Sequence, residues 1–449
     1  MNNSAVFVAF LFIAARLHAQ ETKPLEEVAA PTPTPSPQPA APPKWELGGE
    51  ARFRYEGREN SDFSNTTDDG SRFIGSRIRM NVTLRPMATL EGFIQPQFSG
   101  FWGQTEAGIG GGGTITGGTS TSGALKDRDL SLHQAYVKWD MNPELLLKVG
   151  RQEMNYGDAV VIGNVDFSNV GRSFDAALVR FHRNAHWIDA FYSKLGESDV
   201  ADSGIGGGSD FAGAYAGIGL PEPMKALDFY TLWLRDDRAG SPTTFNFATL
   251  GARTKFVVGL VDGRFEGAFQ VGEHRGEDMR AYMLDLETGY TFAVREGLRV
   301  GLEYNRASGD DSSTSTFTRF HQLFPTAHRW LGYMDILGRQ NVQSGVFRLS
   351  WKPTAAWTFT SDLHTFWRVD QNDVLYSIAT ELPLAGQASP PTETGLHAGE
   401  ELDLLVALKV NDHVHLEALG GLFFPGAYMD HVIGLDLAYF AYTQVKFSL

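Results

Sequence analysis

The chain has 449 residues, long enough for two or three ordinary domains, and 53 acidic side chains against 38 basic ones give it a formal charge of −15. Cysteine is absent, which excludes disulfide frameworks, thiolate metal sites, iron–sulfur clusters and cysteine nucleophiles together. The acidic balance excludes a typical nucleic-acid binder, and 49 glycines with a 12% aromatic share favour strands and turns.

Residues 5–15 (AVFVAFLFIAA) are an uninterrupted apolar run. The run is shorter than the ~20 residues of a membrane-spanning helix and suits the apolar region of a secretory signal. Leu17-His18-Ala19 offers a cleavage site, so residues 1–19 are expected to be a signal peptide. Residues 20–44 (QETKPLEEVAAPTPTPSPQPAAPPK) carry proline at nearly every second position from Pro31, which favours an extended, solvated chain. This segment is expected to be a periplasmic linker, and it is too small to plug a barrel.

From residue 45 to residue 449 the apolar side chains recur with period two. Leu47, Ala51, Phe53 and Tyr55 oppose Glu46, Glu50, Arg52, Arg54 and Glu56, and Ile74, Ile78, Met80 and Val82 oppose Arg77, Arg79, Asn81 and Thr83. Further on, Phe265 and Phe269 oppose Arg264 and Glu266, Leu302 and Tyr304 oppose Glu303 and Asn305, and Phe347 and Leu349 oppose Arg348. Such alternation marks strands with one apolar and one polar face. A soluble sandwich shows it too, but these strands are longer than the five or six residues usual in globular proteins and match the ~9–11 of a transmembrane strand.

The connections alternate in length. Long ones at about 57–71, 100–128, 152–172, 194–210, 306–342 and 368–398 are separated by tight ones at 85–88, 140–143, 183–185, 259–262 and 411–412, with 272–279 intermediate. Long loops on one rim and tight turns on the other characterise outer-membrane barrels. The expected fold is all-β: a transmembrane, antiparallel, up-and-down β-barrel of about eighteen strands with long extracellular loops and short periplasmic turns. Residues 45–449 form this barrel in the cell outer membrane of a Gram-negative type envelope. Its partners are then outer-membrane lipids and lipopolysaccharide, and the barrel-insertion machinery that reads terminal strands such as the one bearing Tyr439, Val445 and Phe447.

The strings GRQEMNYGD (150–158) and DFSNVGRSFD (166–175) resemble the signature of the alginate export family. So do RFRYEG (52–57), RIRMNVTLRP (77–86), YNRASGDD (304–311), FHQLFPTAHRWLGYMD (320–335), GEELDLL (399–405) and GLFFPG (421–426). The resemblance runs through the whole of 45–449. It implies an eighteen-stranded barrel whose best-known members pass a polyanionic polysaccharide through an Arg-lined lumen. The broader family leaves open a general or carbohydrate porin.

Arg52, Arg54, Arg77 and Arg79 share the inward parity of the first two strands and are expected to form one patch on the lumen wall. Arg253 and Arg348 lie inward on later strands, and Arg151 and Arg172 bracket the 152–171 loop, which in the family resemblance narrows the pore. Arginine forks suit carboxylates and would favour an anionic polysaccharide or small anionic solute over a cation. These eight are the expected substrate-binding residues, although inward acids such as Glu50, Glu56, Asp285, Glu303 and Asp362 also offer them cross-strand partners. No catalytic constellation, P-loop or cofactor motif appears, so an enzyme is not expected. Ser308-Gly309-Asp310-Asp311 reads as an acidic turn sooner than a calcium loop. His321 and His328 lack the third ligand of a zinc site.

Overall fold

The computed structural model describes residues 44–449 except 67–68, 103–127, 197–207, 239–243, 294–296, 312, 327, 329, 379–382 and 385–394. The expected signal peptide, all but the last residue of the linker, and most of the 100–128 loop lie outside the described residues. Strands run in chain order as β1 (Trp45–Glu59), β2 (Ser71–Met87), β3 (Leu90–Trp102), β4 (Arg128–Asn142), β5 (Leu145–Gln152), β6 (Phe174–Arg183), β7 (His186–Gly196), β8 (Ser209–Gly217) and β9 (Met224–Asp236). They continue as β10 (Phe245–Val258), β11 (Val261–His274), β12 (Glu277–Thr291), β13 (Leu298–Ala307), β14 (Thr316–Phe317), β15 (Val342–Trp351), β16 (Trp357–Arg368), β17 (His397–Lys409), β18 (Val414–Pro425) and β19 (Ala438–Ser448), with a short helix α1 (Ala427–Val432) before the last.

Each strand pairs antiparallel with its sequence neighbours, β13 passing directly to β15, and β1 closes on β19 from Glu50↔Ser448 to Glu59↔Tyr439. The two-residue β14 belongs to a loop and pairs in parallel with β12 at Asp278↔Thr316. The other eighteen strands form a closed barrel. With an even number of strands, both barrel ends lie on the short-turn rim, where the Leu449 amide donates to the Gly49 carbonyl at 2.9 Å.

The barrel wall is inside out. Leu47 is 63% exposed and Leu302 59%, while Arg77 and Asp285 are wholly buried. An apolar band of this extent is stable against lipid and not against water. Trp139, Tyr290, Trp351 and Trp357 stand exposed on the outer face near the short-turn rim, as an aromatic girdle at the membrane interface does. Among the described residues no helix is long and apolar enough to cross a membrane.

The alternation of connections is present with one difference. The β11–β12 link, read as an intermediate loop, is a two-residue turn on the long-loop rim. Arg275 (φ 53°) and Gly276 (φ 81°) both take left-handed backbone, which matches the twist of the flanking strands and lets them run to the turn.

Candidate functional site

Arg52 and Arg54 on β1 and Arg77 and Arg79 on β2 do share the lumen face, with Arg52 directly opposite Arg77. All four are at most 5% exposed, because the loop between β5 and β6 folds onto them. Arg52 donates to the carbonyls of Asp166 (2.6 Å) and Ser168 (2.8 Å). Arg54 donates to the Phe167 carbonyl (2.6 Å) and lies over the Phe167 ring at 3.9 Å. Arg77 donates to the Asp166 carboxylate (2.7 Å) and to Glu50 (2.6 Å), and Arg79 to Gln97 (2.6 Å) and the Val170 carbonyl (3.2 Å). Four mutually repelling guanidiniums out of water need acceptors, and residues 166–170 supply them. Gly171 completes the fit at φ 78°, where a Cβ would meet the Arg79 Nη2 at 2.6 Å. The cluster is therefore a socket for a loop, which corrects the expectation of a patch open to solute.

Burial alone would raise the Asp166 carboxyl. Arg77 outweighs it, helped by Lys446, Arg52 and Arg79, and holds the group down at about 2.

The other predicted arginines divide. Arg151 lies on the outer face of β5, since it pairs opposite the exposed Asp175 and bonds both its carboxylate oxygens at 2.8 and 2.7 Å. It is three residues from the inward Lys148, an odd offset that turns a side chain to the opposite face, so it is not a lumen residue. Arg172 ties two loops by donating to the carbonyls of Gly163 (3.2 Å) and Pro325 (3.0 Å). Arg253 faces the lumen between Asp158 (2.8 Å) and Asp228 (2.5 Å). Arg348 faces it between Asp362 (2.9 Å) and Glu303 (3.0 Å).

A second loop, between β13 and β15, enters the lumen and is laced to the first by backbone bonds. The Gly163 amide donates to the Phe324 carbonyl (2.8 Å), the Phe324 amide to Val161 (3.0 Å), and the Thr326 amide to Ala159 (2.9 Å). Tyr156, Val160, Val161 and Ile162 of the first loop and Phe320, Leu323 and Trp330 of the second are buried against inward Phe211, Tyr215, Tyr230 and Phe247. Beyond Trp330 the second loop crosses to the far wall, where Leu331, Met334 and Leu337 bury with Phe366, Phe423 and Phe440, and with Phe63 from the β1–β2 loop. There the Tyr333 and Met334 amides donate to the Asp403 (3.2 Å) and Glu401 (2.8 Å) carboxylates. Gly332, at φ 90°, permits that approach, since a Cβ would fall onto the Glu401 carboxylate.

Beneath these loops, toward the short-turn rim, a cleft of about 510 Å³ opens in the lumen along β9–β16. Lys225, Lys255, Arg264, Arg299, Arg348 and Lys352 line it against Asp158, Asp262 and Glu287, with Trp330 and Tyr333 contributing aromatic surface. Burial raises the Asp158 carboxyl, but hydrogen bonds from Arg253 and Lys255 lower it further and keep it ionised. Lys352 is exposed and has no carboxylate partner among the described residues. The alternating pattern puts Arg264 and Arg348 on the inward face without bringing the six cations together. The signal available was their shared parity near the ends of adjacent strands.

Among the described residues no group of acidic or histidine side chains has the arrangement to hold a metal ion. The 308–311 turn is bonded internally: Asp310 accepts from the Thr318 amide (2.9 Å) and Asp311 from the Ser313 amide (3.1 Å). His328 bonds Asp335 (2.8 Å) and stacks on Phe167 at 3.6 Å, which is a bracing role.

The sequence model of the alginate export family matches residues 44–436. No functionally curated protein matches the sequence. Among solved structures, Acinetobacter baumannii OccAB2 superposes with a TM-score of 0.61 at 11% identity, over 90% of this chain and 98% of that one. A BenF-like porin from Pseudomonas fluorescens Pf-5 gives 0.60 at 10%, over 90% and 98%. Pseudomonas aeruginosa OccK2 (OpdF) in complex with glucuronate gives 0.59 at 9%, over 90% and 96%. These likenesses establish a shared fold.

Proposed function

The chain belongs to the alginate export family of outer-membrane channels, and on that premise we propose that it passes anionic saccharides or other anionic solutes, selected in the cleft along β9–β16. The observation that carries the reading is charge: six cationic side chains line the cleft, and while five of them pair with carboxylates, Lys352 has no such partner among the described residues. The exposed Lys352 leaves the cleft a positive excess, which lowers the barrier for anions and raises it for cations. Trp330 and Tyr333 offer ring faces against which the apolar side of a sugar packs. That OccK2 was solved with glucuronate agrees with a carboxylate-bearing solute on this fold.

Replacing Lys352 with Gln removes one charge from an exposed position that has no carboxylate partner on the docked loops among the described residues. The permeability ratio of purified protein in planar bilayers should move toward cations. An unchanged ratio in a normally inserted variant would instead support the second reading, a general porin without charge selection.

A further inference from the structure

The inward loops do not hang from one side of the lumen. Residues 163–171 dock on β1–β3 through the arginine socket, residues 153–162 on β4–β10, and residues 317–339 on β10–β13 and then on β17–β19. His133 of β4 bonds Glu153 at 2.7 Å, Tyr156 bonds Asp189 of β7 at 2.7 Å, and Arg339 bonds Asn305 of β13 at 2.9 Å. The two loops are joined in the middle by backbone pairs, Ile162↔Phe324 among them. An eighteen-stranded wall by itself encloses a wide aqueous channel. Here it carries a diaphragm tied to its circumference, with a buried apolar cluster on one side and an ionic socket on the other.

We infer that this channel is size-limited to single small carboxylates and does not thread a polymer. The inference rests on the anion-channel reading above and deepens it by naming the size class of the substrate. A cleft of about 510 Å³ lies within the ~300–1,000 Å³ of sites that enclose one molecule of drug size. An extended polyuronate would have to separate the loops along their whole lacing. That would expose buried Val160, Ile162 and Phe320 and break the backbone bonds that join the loops. Both losses oppose threading, one by putting apolar surface into water and the other by leaving backbone polar groups without partners. A monosaccharide acid needs neither.

The experiment is uptake by proteoliposomes carrying the full chain, read by swelling, with galacturonate, an eight-residue oligogalacturonate and neutral galactose as probes. The expected result is entry of galacturonate and loss of the oligomer signal to the protein-free background. Entry of the oligomer at a rate comparable to galacturonate overturns the size limit while leaving the anion reading intact. Entry of galactose without galacturonate overturns the anion reading, and the inference with it. A double variant, Phe324→Pro with Thr326→Pro, deletes two of the backbone amides that lace the loops while sparing the cleft cations. It should admit the oligomer. If it inserts normally and still excludes the oligomer, the lacing is not what sets the limit and the assignment fails.

Discussion

At the scale of single residues, the arginines show how context decides the role of a charge. Arg52, Arg54, Arg77 and Arg79 are inward as their parity indicates, yet their partners come from a loop more than eighty residues away in sequence, a distance over which periodicity carries no information. Asp166 stood in a quoted string without any sign of where its loop would dock. Replacing all four arginines with Gln tests the socket. The loop loses its ionic socket, so single-channel current should rise and become noisy, and a bilayer recording distinguishes this from a pure shift in selectivity. Asp166 also sets a pH window. Its carboxyl titrates at about 2 in the folded protein against an ordinary 3.8. A folded value below the unfolded one means that the carboxylate holds the loop above pH 3.8 and releases it as pH falls toward 2. Because the side chain is 45% exposed, solvent screening keeps the gain to about 1 kcal/mol or less. The hold of Asp166 on its loop should therefore be constant down to about pH 4 and weaken only below, and a conductance change seen below pH 4 in the wild type should be smaller in Asp166→Asn.

At the scale of elements, the strands were legible because one physical demand, an apolar face toward lipid and a polar face inward, repeats at period two along nearly all of them. The loops were legible only in length. What directs 153–173 and 308–341 into the lumen is a set of apolar residues, Val160 to Ile162 and Phe320 to Leu323, that lacks strand periodicity and needs an inner wall to meet. That wall is itself partly apolar, since Phe211, Tyr215, Leu232 and Phe247 are buried inside the barrel, whereas β1 and β2 bury Arg52, Arg54, Arg77 and Arg79 there. Two measurements test the wall. Leu302→Arg places a charge on the lipid face and should cost about 2–4 kcal/mol, seen as a loss of the heat-modifiable folded band. A tag inserted after Ser313 should label on intact cells and one after Asn142 only after permeabilisation, because the first is on the long-loop rim and the second in a tight turn of the other. Equal labelling would contradict the orientation.

At the scale of the molecule, the formal charge of −15 and an anion-passing lumen are compatible because selection depends on the local field in the narrow region and not on the sum over the chain. Most lumen ions are paired, such as Arg264 with Asp285 (2.7 Å) and Arg299 with Asp262 (2.6 Å), so the selective excess in the cleft resides in Lys352. Paired charges on the wall hold the barrel's shape, and the diaphragm sets what reaches the cleft. The measurement that tests this account most directly is the reversal potential of the purified wild-type barrel in a planar bilayer under a potassium chloride gradient. The account predicts the sign given by chloride permeating faster than potassium. A reversal potential of the opposite sign would contradict it.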